Sequence, residues 1–159
     1  MARDLPETDL TAHPFDAASI AARMAEALAG PGQPDPAYRA IDEITAEILG
    51  HSLFTVLAFV EKDGEVERMY TSRPEEYPLR GRKKMGPTPW GDHVLKGGRS
   101  WFGAGAEDIR WAFPDAELIL SLGCEHCLCA PVRHDGRTLG LISVLGPDGA
   151  YGEGDPVAP

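Results

Sequence analysis

The sequence predicts an α+β fold in which a central antiparallel sheet carries two N-terminal helices on one face and an irregular helical crossover on the other. Three observations lead there. Apolar residues recur at helical spacing in two segments before residue 50, two pairs of strand-like apolar runs are each joined through an Asp-Gly turn, and a long stretch broken by Pro and Gly separates the two hairpins.

The first helix is read in "FDAASIAARMAEALAGPG", where Asp16 can cap the first turn, Phe15 can staple onto Ile20, and Gly30-Pro31 stop it. Its apolar stripe, Ile20, Met24 and Leu28, is narrow. The second follows in "DPAYRAIDEITAEILG", with Asp35 as cap, Pro36 at the first helical position and Gly50 as stop; Ile41, Ile44, Ile48 and Leu49 give it a firmer face. Leu53–Val60 is an unbroken apolar run and reads as a central strand. After the Asp63-Gly64 turn, Val66, Arg68 and Tyr70 alternate with Glu67, Met69 and Thr71. The middle stretch is expected to hold a short helix over 90–95, a short strand over 100–102 and helical turns over 107–113 and 115–122. The last hairpin, "HCLCAPV" to "TLGLISVLG" across "RHDGR", is the clearest. These elements make one domain over 15–148, between a disordered segment 1–14 and a flexible tail 149–159.

Composition narrows the function. A chain of 159 residues with 43% apolar and 25% charged side chains has the make-up of a soluble globular domain, and no apolar run approaches the ~20 residues of a membrane helix. The N-terminus lacks the order of a signal peptide, which predicts a cytoplasmic protein with its three cysteines as thiols. A net charge of −10 argues against a nucleic-acid partner. Locally the balance reverses: between Arg68 and Lys84 stand Arg73, Arg80, Arg82 and Lys83 as well, against only Glu75 and Glu76. A basic lobe on an acidic protein suits a small anion better than a polymer.

All three cysteines lie in "SLGCEHCLCAPV", with His126 among them. Cys124, Cys127, Cys129 and His126 match a zinc site in number, but strand geometry opposes it: Cys127 and Cys129 face one way and His126 the other, and one strand cannot wrap its own side chains around an ion. The same spacing disfavours a Cys127–Cys129 disulfide. Cys124–Cys127 has the spacing of a redox motif, yet it ends a helix where such motifs begin one.

Taken together, the hairpin around Asp63-Gly64, "TPWGDHVLKGG" followed by "SWF", "EDIRWAFPD" and "APVRHDGRTLGLISVL" resemble a GAF domain, the small sensory fold related to PAS domains. "YTSRPEEYPLRGRK", "TPWGDHV", "DIRWAFPD" and "SLGC" are similar to small stand-alone GAF proteins of bacteria, and the absence of a closing helix after the last strand leads to the expectation of no fused output domain. The resemblance implies a pocket between sheet and crossover that takes cyclic nucleotides, tetrapyrroles, haem, amino acids or aromatic acids in different members. It further makes Cys124, Cys127 and Cys129 candidate pocket-lining thiols, and places Cys124 where free methionine-(R)-sulfoxide reductases of this fold carry their nucleophile, although no cysteine precedes residue 124 to resolve it.

The remaining ligand candidates are polar groups of the crossover. Tyr70, Ser72, Arg73 and Tyr77 follow the first hairpin, Arg82, Lys83 and Thr88 stand in the basic lobe, Trp90 and His93 share the short helix, and Asp108, Arg110 and Asp115 lie on the later turns. Facing inward, they would offer cations and donors to a carboxylate, nitro or phosphate group, with Trp90 as an apolar wall. Structural roles stay open: Trp90 as core, Asp115 as a helix cap, Asp108 with Arg110 as an ion pair. His93 is a proton donor, an axial haem ligand or a satisfied structural histidine.

The expected function is a sensory module for a small anionic or aromatic ligand, working as a homodimer through the N-terminal helices and signalling through a separate output protein. The alternative is a small enzyme, thiol-based or haem-dependent, with Cys124, His93 and Arg110 as catalytic candidates. Haem is the cofactor the resemblance allows, and zinc is disfavoured.

Overall fold

The structure, a computed structural model, describes residues 17–149. The Asp16 cap, the Phe15 staple, segment 1–14 and the tail beyond Gly149 lie outside the described residues. The chain forms two compact units, one up to Ile44 and one from Thr45 onward.

In the first unit, helix α1 (Ala17–Ala29) has no buried residue. Its C-terminal carbonyls are closed by a side chain: Gln33 Nε2 donates to Ala27 O at 2.6 Å and to Gly30 O at 3.0 Å, satisfying acceptors that have no partner within the helix. Helix α2 (Asp35–Ile48) buries Ala37 and Ile44. It stops as read, with Gly50 in the left-handed region at φ 68° and its N–H on Ala46 O.

The second unit is a six-stranded, fully antiparallel sheet, in the order β3-β2-β1-β6-β5-β4. Its strands are β1 (Leu53–Val60), β2 (Glu65–Thr71), β3 (Arg82–Lys84), β4 (Trp101–Ala104), β5 (His126–His134) and β6 (Arg137–Gly146). The β5–β6 hairpin turns through Asp135 and Gly136 at φ 47° and 75°, the positive values that make Asp-Gly a hairpin signal. Edge strand β3 was not read from the sequence; its three residues, Arg82, Lys83 and Lys84, are all charged and carry no apolar alternation. The crossover holds α3 (Pro89–Gly91), a π-helical turn Asp92–Lys96, α4 (Ala106–Ala112) and α5 (Ala116–Ser121). No helix among the described residues is long and apolar enough to cross a membrane.

Both sheet faces are buried, which is why β1 reads as continuously apolar. Leu53, Leu57, Cys127, Cys129, Leu141 and Leu145 form one core cluster with Trp90, Val94, Ile109, Phe113 and Ile119 of the crossover. Phe54, Val56, Leu128 and Val144 are buried on the opposite face. At about 1.5–3 kcal/mol per fully buried large apolar side chain, the crossover is a structural half of this core as well as a cover.

One irregularity decides what the core face carries. Leu57 pairs with Arg68 but Val56 pairs with Tyr70, so Met69 is an extra residue, a β-bulge. The uniform alternation expected from sequence therefore breaks there. Arg68 shares the face of Leu57, Tyr70 moves to the face of Val56, and Thr71, opposite Thr55, returns to the core face.

Candidate functional site

Between the sheet and the crossover lies a small, partly open cavity of about 20 Å³. The sheet supplies Leu53, Thr55, Leu57, Arg68, Lys83, Ser143 and Leu145, and the crossover supplies Tyr77, Phe113 and Ile119. Four aliphatic side chains and Phe113 form the apolar half of the walls, with two cations and three hydroxyls making up the rest.

Arg68 is 7% exposed. Its Nη1 donates to Pro78 O at 3.0 Å, and its guanidinium lies over the Tyr77 ring at 4.6 Å. Gly81 makes room for it, since a Cβ there would stand 2.8 Å from Nη1. Arg68 Nε, however, is buried with no hydrogen-bond partner among the described residues, and the Tyr77 hydroxyl makes no well-formed hydrogen bond, with the Asp115 carboxylate as its nearby acceptor. No carboxylate among the described residues forms an ion pair with Arg68. Burial pushes the Arg68 guanidinium below its ordinary value, and burial together with the nearby Asp115 carboxylate keeps the Tyr77 phenol protonated far above its own. Tyr77 is thus held as a donor.

Lys83 is positioned by β3 and completes the ring. Its Nζ sits 2.9 Å from Asp115 Oδ1 and 5.0 Å from the centre of the Phe113 ring. Burial alone would raise the Asp115 carboxyl, but the charge and hydrogen bond of Lys83 outweigh it and the net displacement is downward. Asp115 precedes α5 without a side-chain capping bond; its side chain goes to Lys83 instead.

A sequence profile of the GAF domain family matches residues 37–155. The chain belongs to the GAF domain family. Solved GAF domains share its fold. That of a phosphoenolpyruvate-protein phosphotransferase from Coxiella burnetii aligns at 18% identity with a TM-score of 0.62, over 83% of this chain and 77% of that one. That of a two-component sensor histidine kinase from Bacillus halodurans aligns at 10% identity with a TM-score of 0.58, over 88% and 82%. The NreA protein of Staphylococcus aureus, solved with a mutated nitrate binding site, aligns at 17% identity with a TM-score of 0.51, over 70% and 83%. No curated protein sequence matches the chain.

In this GAF domain, Tyr77 and Lys83 line the cavity and Asp115 sits beside it on Lys83. The other crossover candidates are placed elsewhere. Tyr70 is carried to the opposite face by the bulge and packs edge-on against Phe54, ring centres 6.1 Å apart. Ser72 Oγ accepts the Phe54 N–H at 2.9 Å, and Arg73 Nε donates to Ser52 O at 2.7 Å, so both tie the loop to β1. Arg82 is an exposed partner of Glu67, and Thr88 caps α3 by accepting the Gly91 N–H. Trp90 is fully buried against Phe113, with Nε1 unpartnered. Asp108 and Arg110 do not pair with each other: Asp108 Oδ2 accepts the Ala104 N–H, and Arg110, half-exposed, bonds Glu117. Arg68, Thr55 and Ser143 were absent from the sequence candidates. Arg68 at a core-facing position two residues after Val66 was the one signal that could have revealed them.

His93 Nε2 donates to Ser100 O at 2.9 Å, which commits the nitrogen a haem iron would need. With a cavity of about 20 Å³, a tetrapyrrole would have to displace the core cluster; these residues do not fit haem.

The three thiols are all buried. Cys127 and Cys129 share one strand face with sulfurs 3.6 Å apart, and Cys129 Sγ lies 3.5 Å from the cavity-lining Ser143 hydroxyl. His126 points away, meeting the Phe102 ring at a tilt and accepting the Gly149 N–H. Among the described residues no group of three or more His, Cys, Asp or Glu side chains converges on a metal position. Burial pushes the Cys124 and Cys127 thiols up. It acts on Cys129 as well, but hydrogen bonds from Cys127 and Ser143 outweigh it and hold that thiol below its ordinary value.

Proposed function

We propose that this GAF domain is a sensory module whose ligand is a small anion held by Arg68, Lys83 and Tyr77. The observation that carries the reading is the buried Arg68 guanidinium, its Nε without a partner among the described residues, beside the Tyr77 hydroxyl. Burying a cation without a counter-ion costs several kcal/mol, and an anion in the cavity would satisfy both groups at once. The nitrate binding site named for the S. aureus relative supports the same ligand class. The cavity favours an anion of a few heavy atoms over an aromatic one.

The test is thermal unfolding with increasing nitrate or formate at fixed ionic strength. The wild type is expected to be stabilised saturably, by about 2.7 kcal/mol at a hundredfold excess over Kd. Arg68→Met is expected to lose that response while being at least as stable without ligand, because a buried charge is replaced by an apolar side chain of similar length. An Arg68→Met response equal to that of the wild type would rule the site out.

The contact of Cys127, Cys129 and Ser143 favours one second reading, a thiol enzyme, now with Cys129 rather than Cys124 as nucleophile. Alkylation with iodoacetamide, followed per residue by mass spectrometry, separates the two. As a sensor, the folded protein is expected to react at all three thiols at least a hundredfold more slowly than free cysteine. Labelling of Cys129 at the free-cysteine rate would favour the enzyme.

The free thiols support a cytoplasmic location. Helix α1, with Leu28 57% exposed and no buried residue, supports pairing with a second copy through its apolar stripe.

A further inference from the structure

Arg68 and Lys83 bring two positive charges to the wall, and Asp115, ion-paired to Lys83 at 2.9 Å, removes one of them. Asp115 also lies close enough to act on Arg68 and on the Tyr77 hydroxyl. One uncompensated cation remains, with a donor at Arg68 Nε that has no partner among the described residues and the Tyr77 hydroxyl beside it. The hydroxyls of Thr55 and Ser143 stand on the sheet side of the same space.

Resting on the anion reading above, we infer that Asp115 is a charge filter that restricts this pocket to small monovalent oxoanions, of the carboxylate or nitrate type, and rejects dianions. A monovalent ligand neutralises Arg68 and leaves the Lys83–Asp115 pair undisturbed. The second charge of a dianion has no free cation to meet: Lys83 is occupied, and the Asp115 carboxylate, only a quarter exposed, repels it where water screens the two in part. The unpaired Arg68 Nε points in addition to an oxygen-bearing ligand, because it needs an acceptor and none among the described residues supplies one. Asp115 is therefore a specificity-determining residue that acts through charge without touching the ligand, and its removal should widen what the pocket accepts.

The test is isothermal titration of the full chain at constant ionic strength with nitrate, perchlorate and sulfate. The last two share a tetrahedral shape and differ in charge. Wild type is expected to bind nitrate and perchlorate at least tenfold more tightly than sulfate. In Asp115→Asn the pocket gains one net positive charge, and the preference for monovalent probes should shrink by at least tenfold; Asp115→Glu, which keeps the charge, should preserve it. A role for Asp115 confined to holding α5 in place would weaken all three probes together and leave their ratio unchanged. The inference is overturned if sulfate binds the wild type as tightly as nitrate, or if Asp115→Asn leaves the ratio intact. If either variant fails to fold, the wild-type comparison of perchlorate with sulfate still decides. Absence of saturable binding by every probe in the wild type defeats the anion reading itself, whereas binding of sulfate at parity defeats only the filter.

Discussion

Replacing Gly140 by alanine is expected to destabilise the protein by at least ~3 kcal/mol, at or beyond the upper end for overpacking a core. Gly140 lies in β6 between Ala58 of β1 and Val132 of β5. A Cβ there would overlap the Leu57 carbonyl oxygen, a backbone atom of the neighbouring strand. Because the obstacle is backbone and not the end of a flexible side chain, the relief must come from displacing β1 or β6, the two central strands. Urea unfolding of Gly140→Ala beside Leu139→Ala provides the comparison, since Leu139 is 52% exposed and its truncation should stay within about 0.5 kcal/mol. A Gly140→Ala loss as small as that of Leu139→Ala would show that the strands separate at this point without cost.

Trp90→Ala is expected to cost about 3–5 kcal/mol, the range for deleting a large buried aromatic. Trp90 is fully buried and packs on Phe113 at 5.7 Å between ring centres, and Phe113 in turn meets Trp101 at 5.9 Å, so removal opens a void at the junction of α3, the α4–α5 connection and β4. Trp90→Phe separates volume from polarity. It shrinks the ring but also removes an indole N–H that has no acceptor, a burden of about 1–3 kcal/mol. The phenylalanine variant should therefore retain most of the stability, and a loss equal to that of alanine would mean that the indole N–H is satisfied after all. Chemical denaturation followed by far-ultraviolet circular dichroism reads both variants without relying on tryptophan fluorescence.

Hairpins and helices were legible because their signals are local. Asp135-Gly136 needs positive φ, Gly50 needs the left-handed region, and the apolar run of β1 needs two covered faces. The family was legible for a related reason, since its motifs mark the turns and helix starts of the crossover. The pocket was legible only in part. Lys83, Tyr77 and Asp115 stood among the sequence candidates, but they come together only through pairing of β3 with β2 and a bond between residues far apart in the chain. Arg68 stayed hidden because an arginine on a hairpin strand is ordinarily at the surface, and its burial depends on a glycine at 81 and a carbonyl at 78. Tyr70, Ser72 and Arg73 looked equally available for a ligand, yet their side chains are engaged in packing and in tying the loop to the sheet.

The extra residue at Met69 has an evolutionary consequence. Downstream of it, the face that each β2 side chain serves is fixed by a count of residues rather than by their identities. If Met69 were instead paired with Val56 in a regular ladder, Tyr70 would turn toward the cavity and Thr71 away from it, without altering any amino acid. Two chains of the same composition could thus present different side chains at this wall, according to whether the bulge is kept. Loss or gain of the bulge, more than substitution of either residue, is where a change of this wall within a lineage would be written.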